Sequence, residues 1–316
     1  MSSFINKLFQ KKTSEEILSP AQDPDLKILQ TMSIGPQTIT DKKVISDLQV
    51  TLHLDLPQFS VGAAQSAGIQ RDHNEDALFT LTTNLAAGEK NMNFGLYIIA
   101  DGMGGHENGE IASSMAVDRL TSHVIRYLYL PLFSPLSNNM ELSIQEIMQT
   151  GVLQAHQTIK KEASGSGTTL TTALILGDQM TIAHVGDSRA YLIDPDGNFQ
   201  LLTKDHTYVK RLEEIGQLSP EQALTDPRRN ILYRALGQGE PFEADIVTFQ
   251  LQQGSQILLC SDGLWGVISD KDMEEVVRSL PDPQQACQTL INLANSAGGP
   301  DNLSVIIVRM PKRTDG

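Results

Sequence analysis

The segment Phe94-Gly95-Leu96-Tyr97-Ile98-Ile99-Ala100-Asp101-Gly102 is the stretch from which the fold of this chain can be inferred. Residues 94–100 are an apolar run that predicts a buried strand, and Asp101-Gly102 ends it. A sheet would fix the backbone of Asp101 while its carboxylate projects past the edge. The run therefore predicts both a core strand and a polar group placed at the end of that strand.

Further strands follow, joined mainly as hairpins. Residues 169–176 and 180–185 flank Gly177-Asp178, and residues 190–193 and 199–202 flank a second turn at 195–198. Two more short strands are predicted at 256–260 and 304–308. Helices are predicted at 108–128 and 142–162, where apolar side chains recur on one face, and after Ser269 and Asp282, which are capping residues. Hairpins and paired helices favour an antiparallel α+β fold over a doubly wound parallel sheet.

The composition excludes several classes of protein. The chain has 316 residues and a formal net charge of −14, which argues against nucleic acid or anionic lipid as a partner. No apolar run approaches the roughly 20 residues of a membrane-spanning helix, and the N-terminus lacks the apolar core of a secretory signal. Cys260 and Cys287 form no disulfide framework, which predicts a cytoplasmic protein. Neither cysteine is followed closely by an Arg, which excludes a cysteine-dependent phosphatase.

Residues 1–59 differ in composition from the rest of the chain. Segment 10–48 is polar, contains Pro and shows no sustained hydrophobic period, so it predicts a tail or linker. Residues 4–12 combine apolar and Lys side chains, which fits either a docking segment or a frayed terminus. We expect a folded domain over residues 60–311 and a short C-terminal tail at 312–316.

Acidic residues recur where the predicted strands end. They are Asp76, Asp101, Asp187, Asp262 and Asp301. Carboxylates that converge would repel one another and cannot all be ionised without cations. Oxygen ligands of this kind select Mg²⁺ or Mn²⁺ rather than zinc. A single Asp-Gly pair such as Asp196-Gly197 is more simply a turn, so the metal prediction depends on the whole set.

Short motifs occur in a fixed order between about residues 60 and 310. They are GIQRDHNED (68–76), ADGMGGH (100–106), GTT (167–169), GDSRAY (186–191), LTKDH (202–206), RN (229–230), RALG (234–237), CSDGL (260–264) and GPDNLSV (299–305). Together they resemble the type 2C, metal-dependent protein serine/threonine phosphatases, in the form found in bacteria. Each motif alone has little specificity, whereas the complete series in order is specific.

The resemblance implies an α+β fold of two packed antiparallel β-sheets flanked by helix pairs, an α-β-β-α sandwich. It also implies a small flap subdomain at about residues 205–230 and a binuclear Mn²⁺ or Mg²⁺ centre. In that centre Asp101 would bridge two cations, and the Gly102 carbonyl would bind one of them. Asp262 and Asp301 would bind the first cation and Glu75 the second. Asp76 would hold cation-bound water. Asp187, together with Asp262, would bind a third cation more weakly.

Arg71 lies among the acidic residues of the first motif, where the resemblance implies that it grips the substrate phosphate. A guanidinium offers a bidentate fork that matches phosphate oxygens. The alternative is a surface salt bridge from Arg71 to Asp72 or Glu75, and the sequence leaves both readings open.

The proton donor for the leaving group has three candidates in the sequence. Relatives from eukaryotes carry a His directly after the Asp-Gly of the second motif, and this chain has Met103 there. His73 and His106 lie in motif segments and are candidates for the general acid, and cation-bound water is a third candidate. Each histidine could equally be a hydrogen-bonding scaffold.

In the expected flap, Asp226 stands where bacterial relatives commonly have His. It could add cation affinity, repel an anionic substrate, or simply pair with Arg228 or Arg229.

The sequence therefore predicts a metal-dependent hydrolase of phosphoserine and phosphothreonine in proteins, in which a cation-activated water attacks phosphorus. Its expected partners are phosphoproteins that a serine/threonine kinase produces, and the chain is expected to be a monomer. The alternative is a phosphatase-like sensor that binds metal or a partner without turnover.

Overall fold

Two antiparallel sheets form the centre of the computed structural model, which describes residues 58–87, 90–104, 107–132 and 142–311. The strands are β1 (Ser60–Ser66), β2 (Asp76–Ala87), β3 (Lys90–Met103), β4 (Gly167–Thr168), β5 (Leu170–Leu176), β6 (Gln179–Val185), β7 (Arg189–Ile193), β8 (Phe199–Leu201), β9 (Asp245–Gln250), β10 (Gln256–Cys260) and β11 (Leu303–Arg309). Sheet 1 has the order β1-β11-β10-β7-β8, and sheet 2 has the order β2-β3-β5-β6-β9, with β4 paired to β3. The predicted hairpins β5–β6 and β7–β8 are confirmed.

The structure also contains helices, most of which cover the outer faces of the two sheets. They are α1 (Glu107–Val124), which continues through a π-helical turn (Ile125–Tyr129) and a last turn (Leu130–Leu132), α2 (Ile144–Glu162), α3 (Tyr208–Glu214), α4 (Pro220–Thr225), α5 (Asp262–Trp265), α6 (Asp270–Ser279) and α7 (Pro283–Ser296). Ser143 begins α2 with a capping box to Glu146, and Asp282 caps α7, so side-chain oxygens satisfy backbone N–H groups that a helix start leaves free.

Strand β3 shows why the sheets pack as they do. Phe94, Leu96 and Ile98 point to one side and pack in a cluster with α1 and α2, whereas Tyr97 and Ile99 point to the other side. Successive side chains of a strand alternate between the two faces, so an apolar run without polar interruptions must be covered on both. Sheet 1 covers one face and the helices cover the other. The predicted four-layer α-β-β-α sandwich is confirmed.

The folded domain begins slightly earlier than the sequence suggested. Phe59, which we expected in the tail, is only 6% exposed and packs in the core between the two sheets. Residues 1–57 and 312–316 lie outside the described residues. In the described part of the chain, no helix is both long enough and apolar enough to cross a membrane. Cys260 and Cys287 are buried as free thiols.

Candidate active site

The carboxylates predicted from the strand ends come from both sheets and meet at one end of the sandwich. Asp76 starts β2 and is paired in register with Asp101 near the end of β3, in sheet 2. Asp262 lies two residues after the end of β10, and Asp301 lies two residues before the start of β11; both strands belong to sheet 1. Because sheets 1 and 2 pack face to face, strand ends that are distant in sequence become neighbours.

Asp76 is the carboxylate with the most hydrogen bonds from the opposite sheet. Its Oδ2 accepts from Ser261 Oγ at 2.9 Å and from Ser304 Oγ at 2.7 Å. Its Oδ1 is buried and has no hydrogen-bond partner. Burial raises the pKa of Asp76 to about 7, although the two serine hydroxyls oppose this rise. An unpaired oxygen in a buried carboxylate is a costly arrangement, which a water or a cation would relieve.

Asp101 is held by the segment that precedes β5. Its backbone N–H donates to Thr169 Oγ1 at 2.9 Å, and its carbonyl accepts from Thr168 Oγ1 at 2.9 Å. Its pKa is raised well above the usual value, first by burial and then by repulsion from the neighbouring carboxylates, led by Asp76 and Asp262. Burial also raises the pKa of Asp262 to about 6, and repulsion from Asp301 adds to the rise. The cluster therefore holds more negative charge than it can keep ionised by itself.

Asp187 belongs to the same cluster. It follows β6, its side chain is buried, and burial followed by repulsion from Asp262 raises its pKa well above the usual value. Its backbone carbonyl accepts a hydrogen bond from Trp265 Nε1 at 3.0 Å. The loop that carries Asp187 is thus tied to α5, the helix that begins with Asp262.

Glu75 lies where β2 approaches the start of α1. Its backbone carbonyl accepts a 2.6 Å hydrogen bond from Ser113 Oγ, and its Oε1 lies 3.2 Å from His73 Nε2. A Cβ added to Gly109, in the first turn of α1, would come within 2.9 Å of the Glu75 carboxylate. A helix N-terminus favours an anion, so Glu75 is well placed there, and only glycine leaves room for it. A Cβ on Gly102 would likewise clash with the Gly109 and Glu75 carbonyls. Glycine at position 102 therefore permits the close approach of these backbone segments.

Asn302 organises this loop, and sequence reasoning assigned it no role. Its Oδ1 accepts from the Glu75 N–H at 2.8 Å, and its Nδ2 donates to the carbonyls of Ala67 and His73 at 2.9 and 2.8 Å. The side-chain amide of Asn302 thus forms three hydrogen bonds, one as acceptor and two as donor, with the backbone of the loop at 67–75, about 230 residues away in sequence. Its place directly after Asp301 in the last motif was the only signal.

Arg71 pairs with a different carboxylate from the one that the salt-bridge alternative named. Its Nη2 donates to Asp301 Oδ2 at 2.7 Å, and its Nε donates to the Pro300 carbonyl at 3.3 Å. No ion pair of Arg71 with Asp72 or Glu75 is found among the residues described. Half of the Arg71 side chain remains exposed. The guanidinium therefore stands at the open rim of the carboxylate cluster, where it contacts Asp301.

His73 is half exposed and faces Glu75, whereas His106 lies outside the described residues. Asp226 pairs with Arg228 through two hydrogen bonds, from Nε at 2.9 Å and from Nη2 at 2.8 Å. These bonds lower the pKa of Asp226 to about 2. Of the three readings of Asp226, the pairing with an arginine is the one observed.

The donor set suits a hard divalent cation. All of the converging groups are oxygens, one of them is buried without a partner, and their mutual repulsion needs positive charge. Among the described residues, no three His, Cys, Asp or Glu side chains already close around one centre. Mg²⁺ sites usually keep several waters rather than a complete cage of protein ligands, so an open cluster of this kind fits the ion.

Comparison with known proteins identifies the family. The model of the family described as "Protein phosphatase 2C" matches residues 66–303, which include all of the carboxylates above. This chain belongs to the protein phosphatase 2C family. The phosphatase 2C domain therefore occupies most of the chain.

Several proteins similar to this phosphatase 2C chain come from bacteria. The serine/threonine phosphatase Stp of Listeria innocua is 38% identical over 238 residues, which are 75% of this chain and 90% of the relative. A serine/threonine phosphatase structure from S. agalactiae superposes with a TM-score of 0.67 at 33% identity, covering 80% of this chain and 99% of that one. The catalytic domain of the phosphatase PstP, solved with two manganese ions, superposes with a TM-score of 0.64 at 29% identity, covering 81% of this chain and 99% of that one. This phosphatase 2C chain is a metal-dependent protein serine/threonine phosphatase that uses Mn²⁺ or Mg²⁺ and acts on phosphoproteins.

Proposed function

We propose that the carboxylate cluster and Arg71 carry the phosphatase reaction of this chain. The observation that supports this most strongly is the convergence of buried and partly buried carboxylates from both sheets, with Asp76 Oδ1 lacking a partner and Arg71 at the open rim. Groups whose pKa values are strongly shifted, lying together at an open edge, are typical of functional sites.

The carboxylates would hold the cations. Asp101 is central, because its pKa is affected by Asp76, Asp262, Asp187 and Asp301 together, and we assign it as the ligand shared by two ions. The remaining ligands that we assign are Asp262, Asp301, Glu75 and the Gly102 carbonyl, with Asp76 orienting bound water and Asp187 at a third, weaker position. When bound, the cations supply an activated water nucleophile near neutral pH and neutralise charge on the phosphoryl oxygens.

Arg71 would bind the phosphate of the substrate. Its guanidinium already neutralises Asp301 at 2.7 Å and is half exposed, so it can turn a free edge toward solvent. An arginine in this position orients the phosphoryl group and stabilises its charge in the transition state.

The leaving serine or threonine oxygen needs a proton. We propose His73 and His106 as the candidates, since each belongs to a sequence motif that also contains carboxylates of the cluster. His73 Nε2 is 3.2 Å from Glu75 Oε1, a contact that would orient its ring.

We propose that the natural substrates are cytoplasmic proteins phosphorylated by a serine/threonine kinase. We also propose that the enzyme acts as a monomer. The buried, unpaired thiols of Cys260 and Cys287 support a reducing compartment.

The test is release of phosphate from a phosphothreonine peptide with and without Mn²⁺. Asp101→Asn and Asp262→Asn should each abolish turnover, because each removes an anionic ligand, while circular dichroism shows a folded protein. Asp196→Asn is the matched control, because Asp196 also precedes a glycine but lies in an exposed turn between β7 and β8. A near-wild-type kcat of either cluster variant in saturating Mn²⁺ would refute the assignment of the metal ligands. If the wild type were a sensor that binds metal without turnover, it would release no phosphate from the peptide.

A further inference from the structure

A cavity of about 550 Å³ adjoins the carboxylate cluster. Asp262 and Asp301 belong to its lining, and so do residues of helices α3 and α4 and of the segment that follows them. Its volume falls within the range of pockets that hold ligands of several side chains' size. The phosphate itself would need only the end next to the cluster, so most of this space lies beyond the reacting group.

Two stacked side chains, Arg189 and Trp265, belong to the lining of the cavity. The Arg189 guanidinium lies over the Trp265 ring at 3.6 Å and makes a two-point ion pair with Asp205 at 3.0 and 2.7 Å. Trp265 Nε1 is fixed on the Asp187 carbonyl. The indole is therefore held on one face and at its nitrogen, and it remains only partly buried. A fixed, partly open aromatic surface is a good contact for an apolar side chain.

Several charged groups of the cavity pair with one another. Arg189 is paired with Asp205, and Lys210 Nζ lies 3.1 and 3.2 Å from the two carboxylate oxygens of Glu213. Thr207, Arg229 and Asn230 add polar groups to the lining, and the apolar part consists of Val209, Pro220, Ala223, Trp265, Val267 and Pro300. Charges that are already paired attract a further charged side chain only weakly, whereas the apolar part of the lining gains free energy when an apolar group displaces water.

We propose that this cavity binds the peptide next to the phosphoresidue and selects substrates that carry an apolar side chain there, which would contact Trp265 and the Pro220 end of α4. The proposal deepens the proposed function, since the phosphate of the same peptide would occupy the carboxylate cluster. The cavity, rather than the metal centre, would then determine part of the preference of the enzyme for the substrate sequence around the phosphoresidue.

The experiment compares phosphothreonine peptides in an alanine background. Each peptide carries either Leu or the similarly sized Asn at one of the three positions on either side of the phosphothreonine. We expect kcat/KM to favour Leu by about tenfold at one or two of these positions, the usual size of discrimination in a hydrophobic pocket. An aryl phosphate, which lacks a peptide, is measured in parallel as the reference for each protein.

Two variants and a control test the cavity itself. Trp265→Ala removes the aromatic surface from the lining, and Pro220→Glu adds a carboxylate to it at the first position of α4, where an acidic residue is compatible with a helix start. Each should bring the Leu/Asn ratio close to one. Gln222→Glu adds the same charge two residues away and keeps a capping-box residue with Ser219, and since Gln222 does not line the cavity, it should keep the ratio.

The outcomes separate this proposal from the proposed function. Failure of the wild type to hydrolyse even the aryl phosphate in Mn²⁺ would refute the proposed function. Hydrolysis of the aryl phosphate with a Leu/Asn ratio near one at every position would overturn the cavity proposal alone. Retention of the ratio in Pro220→Glu would also overturn it, whatever Trp265→Ala does, and so would loss of the ratio in Gln222→Glu.

Discussion

Asp76 on β2 and Asp101 on β3 stand directly opposite each other across the antiparallel strand pair, so two carboxylates occupy adjacent positions at one end of sheet 2. Like charges opposite each other destabilise a sheet, and both of these groups have raised pKa values because of burial. The metal-free domain thus carries a cost at this point that bound cations would remove.

Replacing Asp76 should stabilise the metal-free domain in a pH-dependent way. The pKa of Asp76 is about 7 in the folded state, above its value in an unfolded chain, so the folded carboxyl binds a proton that the unfolded one releases. Stability from this group is present at low pH and is lost as pH rises through about 7. In EDTA, the Tm of Asp76→Asn should therefore be higher than that of the wild type, and the difference should be larger at pH 8 than at pH 6. The corresponding gain in the free energy of unfolding is about 1–4 kcal/mol.

Thermal unfolding of both proteins in EDTA at several pH values measures this difference. Comparing two proteins cancels the effect of buried histidines such as His184, whose pKa burial lowers to about 4. A difference in Tm that shrinks as the pH rises would contradict the prediction.

Arg71→Ala should weaken substrate binding and leave metal binding intact. We expect a loss of about 1.5–3 kcal/mol in kcat/KM, mainly through KM, because a charge-assisted contact to phosphate is removed. Arg71→Lys should recover only part, since an ammonium lacks the two-point geometry. Mn²⁺ affinity by calorimetry should be equal or higher, because Asp301 loses its 2.7 Å partner. An unchanged KM would leave Arg71 as a partner of Asp301 only.

Asn302→Ala should impair metal binding without touching a proposed ligand. The substitution removes the hydrogen bonds that hold the backbone of Ala67, His73 and Glu75, and it leaves buried polar groups without partners. We expect a loss of about 1–3 kcal/mol in stability and a higher Mn²⁺ concentration for half-maximal activity. Asn292→Ala, in an exposed position on α7, is the control. Normal Mn²⁺ dependence in Asn302→Ala would show that Glu75 is positioned by other contacts.

His73→Gln and His106→Gln should distinguish the two candidate acids by leaving group. The true acid matters for a serine alkoxide, which is a poor leaving group, and much less for an aryl oxide. We expect the variant of the acid to lose about 10²-fold or more in kcat on a phosphoserine peptide, with only a small loss on an aryl phosphate. Equal losses on both substrates would indicate a structural role for that histidine.

A chain that starts at residue 58 should fold and hydrolyse aryl phosphate like the full-length protein, because segment 10–48 has little apolar surface to bury. Phe59 should be required, since it lies in the core between the sheets. In the shortened chain, Phe59→Ala should lower the free energy of unfolding by about 2–4 kcal/mol. Loss of folded protein on removal of residues 1–57 would show that the tail belongs to the domain.

Local patterns in the sequence predicted many of the helices and strands and the acidic residues at strand ends, although the strands β1, β2, β4 and β9 were not predicted. The apolar run at 94–100, the turn at Gly177-Asp178 and the cap at Asp282 each depend on neighbours within a few residues, so they could be predicted directly. The recurrence of Asp at strand ends indicated a hard divalent cation, and the ordered motifs indicated the family.

Only the tertiary structure decided which of these groups touch. The hydrogen bonds from Ser304 to Asp76 and from Arg71 to Asp301 join residues about 230 positions apart, and the first of them joins the two sheets. The roles of Asn302 and of the Arg189–Trp265 stack also depend on contacts between residues that are distant in sequence. Contacts of this kind depend on how one sheet is placed on the other. That placement follows from packing the whole core, and no short stretch of sequence records it.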